Sequence, residues 1–145
     1  MSGRRNVLFA ILAVVVAVVV VVLAAVAWRV LPLFTGPAVP AGATRLHIET
    51  QRPNLVSSCA MAALAPATVA TDGDDLILVI VDSGEMADVV WPAGFGAWRV
   101  DGRAVLADPW GKIIGREGDV VDGLGGGSGN DGAFYICPFG IPTER

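Results

Sequence analysis

The octapeptide GGGSGNDG, residues 125–132, fits two ligand-binding patterns at once. Read from Gly126 it opens the calcium nonapeptide G-G-x-G-x-D, and read from Gly127 it is the dinucleotide fingerprint G-x-G-x-x-G. Each pattern needs a context. A dinucleotide is held where a strand gives way to a helix whose N-terminal N–H groups face the pyrophosphate. The segment after Gly132, AFYICPFGIPTER, reads instead as a strand and then a proline-broken tail. The calcium pattern works by stacking repeats so that neighbouring turns share ions. Here there is one copy, and Ala133 stands where a large apolar residue belongs. Ser128 does not form a nucleophile elbow, because Asn130 replaces the last glycine of G-x-S-x-G. The stretch therefore reads as a glycine-rich connection before the last strand.

Other chemistry-bearing residues are sparse. Glu117 and Asp119, in GREGDVV, lie at i and i+2 and would share one face of a strand. Paired carboxylates can divide acid and base work, which makes a hydrolytic site here one alternative. With Lys112 and Arg116 beside them, a solvated turn is the simpler reading. His47 is the single histidine, too few for a Cys/His metal cluster or for a triad with a spare. Asp72, Asp74 and Asp75 break the EF-hand spacing and read as turn aspartates. No catalytic, cofactor or metal ligand is assigned. Trp91, Trp98 and Trp110 read as core or rim packing; exposed together, they would form a candidate binding face for a protein or a glycan.

The elements that carry these residues are short. RLHIE, 45–49, alternates, with Leu46 and Ile48 on one face. CAMAALAPATVA, 59–70, has helical composition but contains Pro66, so residues 59–65 are open between helix and strand. LILVIV, 76–81, reads as a buried strand, and ADVVW, 87–91, as another. FGAWRV and RAVLAD flank Asp101-Gly102, a pair that favours a type I′ hairpin and would set Trp98 opposite Val105. DPWG, 108–111, is a β-turn signature. KIIGREGDVV and AFYIC complete the set. About six strands at this spacing predict a mainly β fold, a small closed or nearly closed β-barrel.

That domain follows an apolar run. Residues 7–27, VLFAILAVVVAVVVVVLAAVA, contain no polar side chain. As a helix the run reaches about 30 Å, the thickness of a bilayer's hydrocarbon core. Arg4 and Arg5 precede it, so the N-terminus is expected in the cytoplasm and the rest outside. Trp28 falls where an interfacial aromatic belongs. The expected plan is a cytoplasmic tail over 1–6, a transmembrane helix over 7–28 in the lipid bilayer, a Pro-rich spacer over 29–43 and an extracytoplasmic domain over 44–145. A signal peptide cleaved near Ala27, at the A-x-A of residues 25–27, is the competing reading. V-S-S-C at 56–59 looks like a lipobox, but it lies far from the apolar run.

Residues 28–145 carry 8 basic and 14 acidic side chains, a net of −6. That argues against nucleic acid, whose phosphates need a basic footprint. Outside the membrane disulfides persist. Cys59 and Cys137 bracket the domain, neither lies in a C-x-x-C motif, and a bridge would close a loop of about 78 residues. Such a bridge would contribute about 4–5 kcal/mol on the chain-entropy model. Two buried free thiols are the alternative.

The series WPAGF (91–95), the Asp-Gly hairpin, LADPWGKIIGREGDVV (106–121) and GGG (125–127) resembles a bacterial family of small exported or membrane-anchored domains. The likeness covers residues 59–137 and departs in the longer insertion around LGGGSGNDGAF. It implies an OB-like small barrel and carries over no catalytic residue. The expected role is a binding or scaffolding module of the cell envelope, with an envelope protein as partner. The alternatives are a glycan-binding OB-like domain using the tryptophans and a hydrolase using Glu117 and Asp119.

Overall fold

The computed structural model of the chain describes residues 2–53 and 62–137. Two compact units divide it, Met1–Leu31 and Pro32–Arg145. The first is a single helix, α1 (Ser2–Val30). Valine is a mediocre helix former in water, yet the run forms one unbroken helix, long and apolar enough to cross a membrane or to act as a signal. No side of α1 is polar over the apolar run. The valines and leucines from Ile11 to Val26 stand exposed, and none of the apolar window is buried against protein.

The second unit is mainly β. It opens with one turn of helix, α2 (Pro32–Thr35), and then holds twelve strands among the described residues. These are β1 (Thr44–Leu46), β2 (Ala62–Ala63), β3 (Ala67–Asp72), β4 (Asp75–Ile80), β5 (Met86–Ala87), β6 (Val89–Val90), β7 (Gly96–Val100), β8 (Arg103–Ala107), β9 (Ile113–Arg116), β10 (Val120–Val121), β11 (Gly125–Ser128) and β12 (Phe134–Ile136). They form three four-stranded sheets, in the orders β1-β7-β8-β9, β10-β3-β4-β5 and β2-β11-β12-β6. All pairs are antiparallel except β6 with β12.

The expected closed barrel of about six strands is not what forms. Among the described residues no continuous ladder joins the three sheets. Single bridges connect them instead: His47, just past β1, with Asp75 at the start of β4, and Thr50 with Trp91, just past β6. Four strands are only two residues long. Ladders that short hold too few hydrogen bonds to carry one sheet round to its own edge. The expected strand ADVVW splits at Asp88, so that β5 pairs with β4 and β6 with β12. LILVIV is buried on one face only: Leu76 and Leu78 enter the core, and Val81 is exposed. Of the ambiguous segment 59–65, Ala62 and Ala63 are strand, and residues 59–61 lie outside the described residues.

Two local expectations hold. Asp101 and Gly102 both take positive φ, 51° and 78°, as a type I′ turn demands. Trp98 stands opposite Val105 as a result. At the β3–β4 turn only Gly73 takes positive φ, 59°, which suits a glycine-first two-residue hairpin.

The core has two parts because the β7–β8 hairpin is buried on both faces. Ala97, Ala104 and Leu106 face a large cluster with Trp91, Phe95, Leu78 and Ile136. Trp98, Val105 and Ala107 face the other way and are covered by Val39 and Ala43. The proline-rich segment read as a spacer therefore lies on the β unit, with Pro37 buried. A Cβ on Gly96 would stand 2.9 Å from Pro37 Cγ, so that contact requires glycine.

Candidate functional site

Three places gather polar or aromatic groups. The first is the corner REGD, 116–119, where the chain leaves β9 in one sheet for β10 in another. Gly118 takes a φ of 90° to make the turn. Val69 N donates to Asp119 O and Gly118 N to Val69 O, both at 2.9 Å, which docks the corner on β3. Glu117 works across it. Its Oε2 accepts from Ala104 N at 3.0 Å and its Oε1 from the Thr71 hydroxyl at 3.3 Å. The Ala104 N–H is the main cause that holds its carboxyl below the usual 4.5; burial opposes this, and Thr71, Arg99 and Arg103 add to it. Asp119 Oδ2 accepts from Arg116 N at 2.9 Å. Both carboxylates thus serve as backbone acceptors. A general acid needs a raised pKa, whereas Glu117 is shifted downward.

The second place is GGGSGNDG. Its first half is a strand: β11 pairs with β2 and β12, Gly126 standing opposite Ile136 and Ser128 opposite Phe134. Only residues 129–133 form the connection. Asp131 closes it, accepting from Tyr135 Oη at 2.6 Å through Oδ2 and from Ala133 N at 3.2 Å through Oδ1. The shared proton lowers the Asp131 pKa from 3.8 and raises that of Tyr135 from 10.0. The glycines admit aromatic rings onto bare backbone. A Cβ on Gly126 would strike Tyr135 O and come 2.5 Å from Phe134 Cε1, and one on Gly129 would strike the Asp131 carboxylate. Glycine here answers to packing, an aromatic covering the gap that a missing side chain leaves.

The third place centres on Gly94, in the turn of WPAGF. Trp91 and Phe95 stack at 5.9 Å between ring centroids. Trp91 N donates to Glu49 O, and Gln51 N to Trp91 O, each at 2.8 Å. Gln51 Nε2 then reaches Ile136 O at 2.8 Å, tying this turn to β12. The DPWG turn forms as the sequence requires. Gly111 N donates to Asp108 O at 3.0 Å, while Asp108 Oδ1 accepts from Trp110 N and Lys112 N, both at 2.9 Å.

The three tryptophans do not share an exposed face. Trp91 and Trp98 are buried, in different parts of the core, and Trp110 is 58% exposed at its turn. His47 is exposed, its Nδ1 2.9 Å from Asp75 Oδ1. Asp72 ends β3, and Asp74 lies in the two-residue turn between β3 and β4. Among the described residues no group of three or more His, Cys, Asp or Glu is placed to hold a metal. Cys137 is buried after β12, and its N donates to Gly125 O at 2.9 Å. Cys59 lies outside the described residues. Sequence reasoning missed Gly94 and Phe34. Phe34 had a signal, because apolar character returns at Leu33 and Phe34 after Pro32. Asp131 was weighed only as the aspartate of the calcium pattern; its pairing with Tyr135 had no signal beyond their spacing of four residues.

The chain matches no protein-family model, no curated protein and no solved structure.

Proposed function

We propose that this is a bitopic envelope protein that uses α1 as an uncleaved anchor and presents its β unit outside the cytoplasmic membrane as a binding or scaffolding module. The observation that carries the reading is α1 itself. It is apolar on every side, none of its apolar window is buried, and that window's mean hydropathy is 3.2. A helix of this kind is stable in lipid, where its side chains lose their contact with water. Arg4 and Arg5 support an inside N-terminus. The net charge of −6 after residue 28 suits a soluble exterior unit.

Two finer readings belong to this proposal. The first is a Cys59–Cys137 disulfide, supported by the exported setting, by the burial of Cys137 and by the fact that no cysteine among the described residues is free. The second is the OB-like kinship of the WPAGF series, for which the Trp91–Phe95 stack supplies a packing reason. The test is protease treatment of spheroplasts. The β unit is expected to be cleaved from outside; a β unit protected until the membrane is opened would reverse the orientation.

A further inference from the structure

Leu31 N still donates to Ala27 O at 2.8 Å, continuing the helical ladder, and the next residue, Pro32, already belongs to the second unit. Within that unit α2 is fixed by close backbone approach. A Cβ on Gly94 would stand 2.7 Å from Pro32 O, 2.8 Å from Leu33 Cα and 3.0 Å from Pro109 Cγ. Gly94 also needs its φ of 82°. Three segments therefore meet over one glycine: α2, the WPAGF turn and the DPWG turn. Two of them carry a large apolar side chain that the β unit leaves uncovered. Phe34 is 64% exposed and Trp110 58%, each the chain neighbour of a residue that touches Gly94. The apolar stretch does not stop where α1 stops, since the span of membrane character runs from Ile11 to Thr35 and so includes Phe34.

We infer that Phe34 and Trp110 seat this end of the β unit in the head-group region of the bilayer that α1 crosses. The inference rests on the anchored reading above. Phe34 follows the end of α1 by four residues, so connectivity alone keeps it within about 14 Å of that end, near the roughly 5–8 Å of head-group layer on each side of the hydrocarbon core. An indole with one polar edge favours this layer over both water and hydrocarbon. The net charge of −6 after residue 28 gives the unit no general attraction to anionic lipid. Seating is therefore aromatic rather than electrostatic, and it does not depend on salt.

The test uses the full chain in phosphatidylcholine vesicles, plain or brominated on the acyl carbons nearest the head group. Trp28→Phe first removes the helix's own exposed indole. Trp91 and Trp98 are buried in protein, which leaves Trp110 as the indole within reach of lipid. Bromolipid is expected to cause a loss of emission in Trp28→Phe that is absent in Trp28→Phe/Trp110→Phe and equal in low and molar salt. Equal emission in both vesicles, with aqueous acrylamide quenching Trp110, would overturn the inference and leave the patch facing water or a protein partner. Vesicle flotation separates the two claims. A chain that floats with lipid but is not quenched fails the seating alone, and a chain that does not float fails the anchored reading and the seating with it.

Discussion

Glu117 holds together three segments that are remote in sequence. Its carboxylate takes the N–H of Ala104, a residue with no exposed surface, and the hydroxyl of Thr71. A buried donor left without an acceptor is costly, so the ionised side chain stabilises the corner between two sheets. Its pKa is depressed in the folded state. The stabilisation is therefore complete above the unfolded value of 4.5 and is lost as pH falls through the lower folded value. Glu117→Gln is expected to lower the melting temperature at neutral pH, with the gap to the parent chain closing below pH 4.5. Thermal scans across that range would show a constant gap if the charge did not matter. The tryptophans give a second contrast at this scale. Trp91→Ala should cost about 3–5 kcal/mol, as for other buried aromatics. Trp110→Ala, at an exposed turn, should stay within about 0.5 kcal/mol. Urea unfolding of both variants in detergent micelles decides it; equal costs would contradict the burial described for Trp91.

Among the elements, β11 departs furthest from its sequence. A strand is recognised by side chains that alternate, and Gly125, Gly126 and Gly127 have none to show. Their pairing is set by what lies against them, Phe134 and Tyr135 of β12, which no local pattern announces. Gly126→Ala should therefore cost about 1–3 kcal/mol as a packing clash. That corresponds to about 4–8 °C in melting temperature per kcal/mol for a unit near this size. An unchanged melting temperature would show that the stretch is the loose connection its composition suggests. The β7–β8 hairpin lies at the other extreme. Asp101-Gly102 dictates a turn, the turn dictates register, and Trp98 meets Val105. ADVVW falls between the two. Its strand character was readable, but its break at Asp88 follows from having to serve two sheets, which is tertiary information.

For the whole molecule, the division into an apolar helix and an acidic β unit was readable because it rests on composition over long windows. The arrangement of the sheets was not, because strands of two residues carry no periodicity. The proline segment read as a spacer shows the same limit: Pro37 and Val39 find their partners on β7 and β8 only once that hairpin exists. A bridge from Cys137 to Cys59 would join the end of β12 to the chain between β1 and β2. Reduction should then lower the stability of the β unit by about 4–5 kcal/mol on the chain-entropy model. Thiol labelling of unfolded, unreduced protein from native envelopes should find no free thiol, and two per chain would contradict the bridge. The anchored reading itself is tested most directly by alkaline carbonate extraction of membranes, followed by mass measurement of the N-terminal peptide. The account predicts that the chain stays in the pellet with residues 7–27 still attached. A carbonate-soluble product beginning at Trp28 would contradict it.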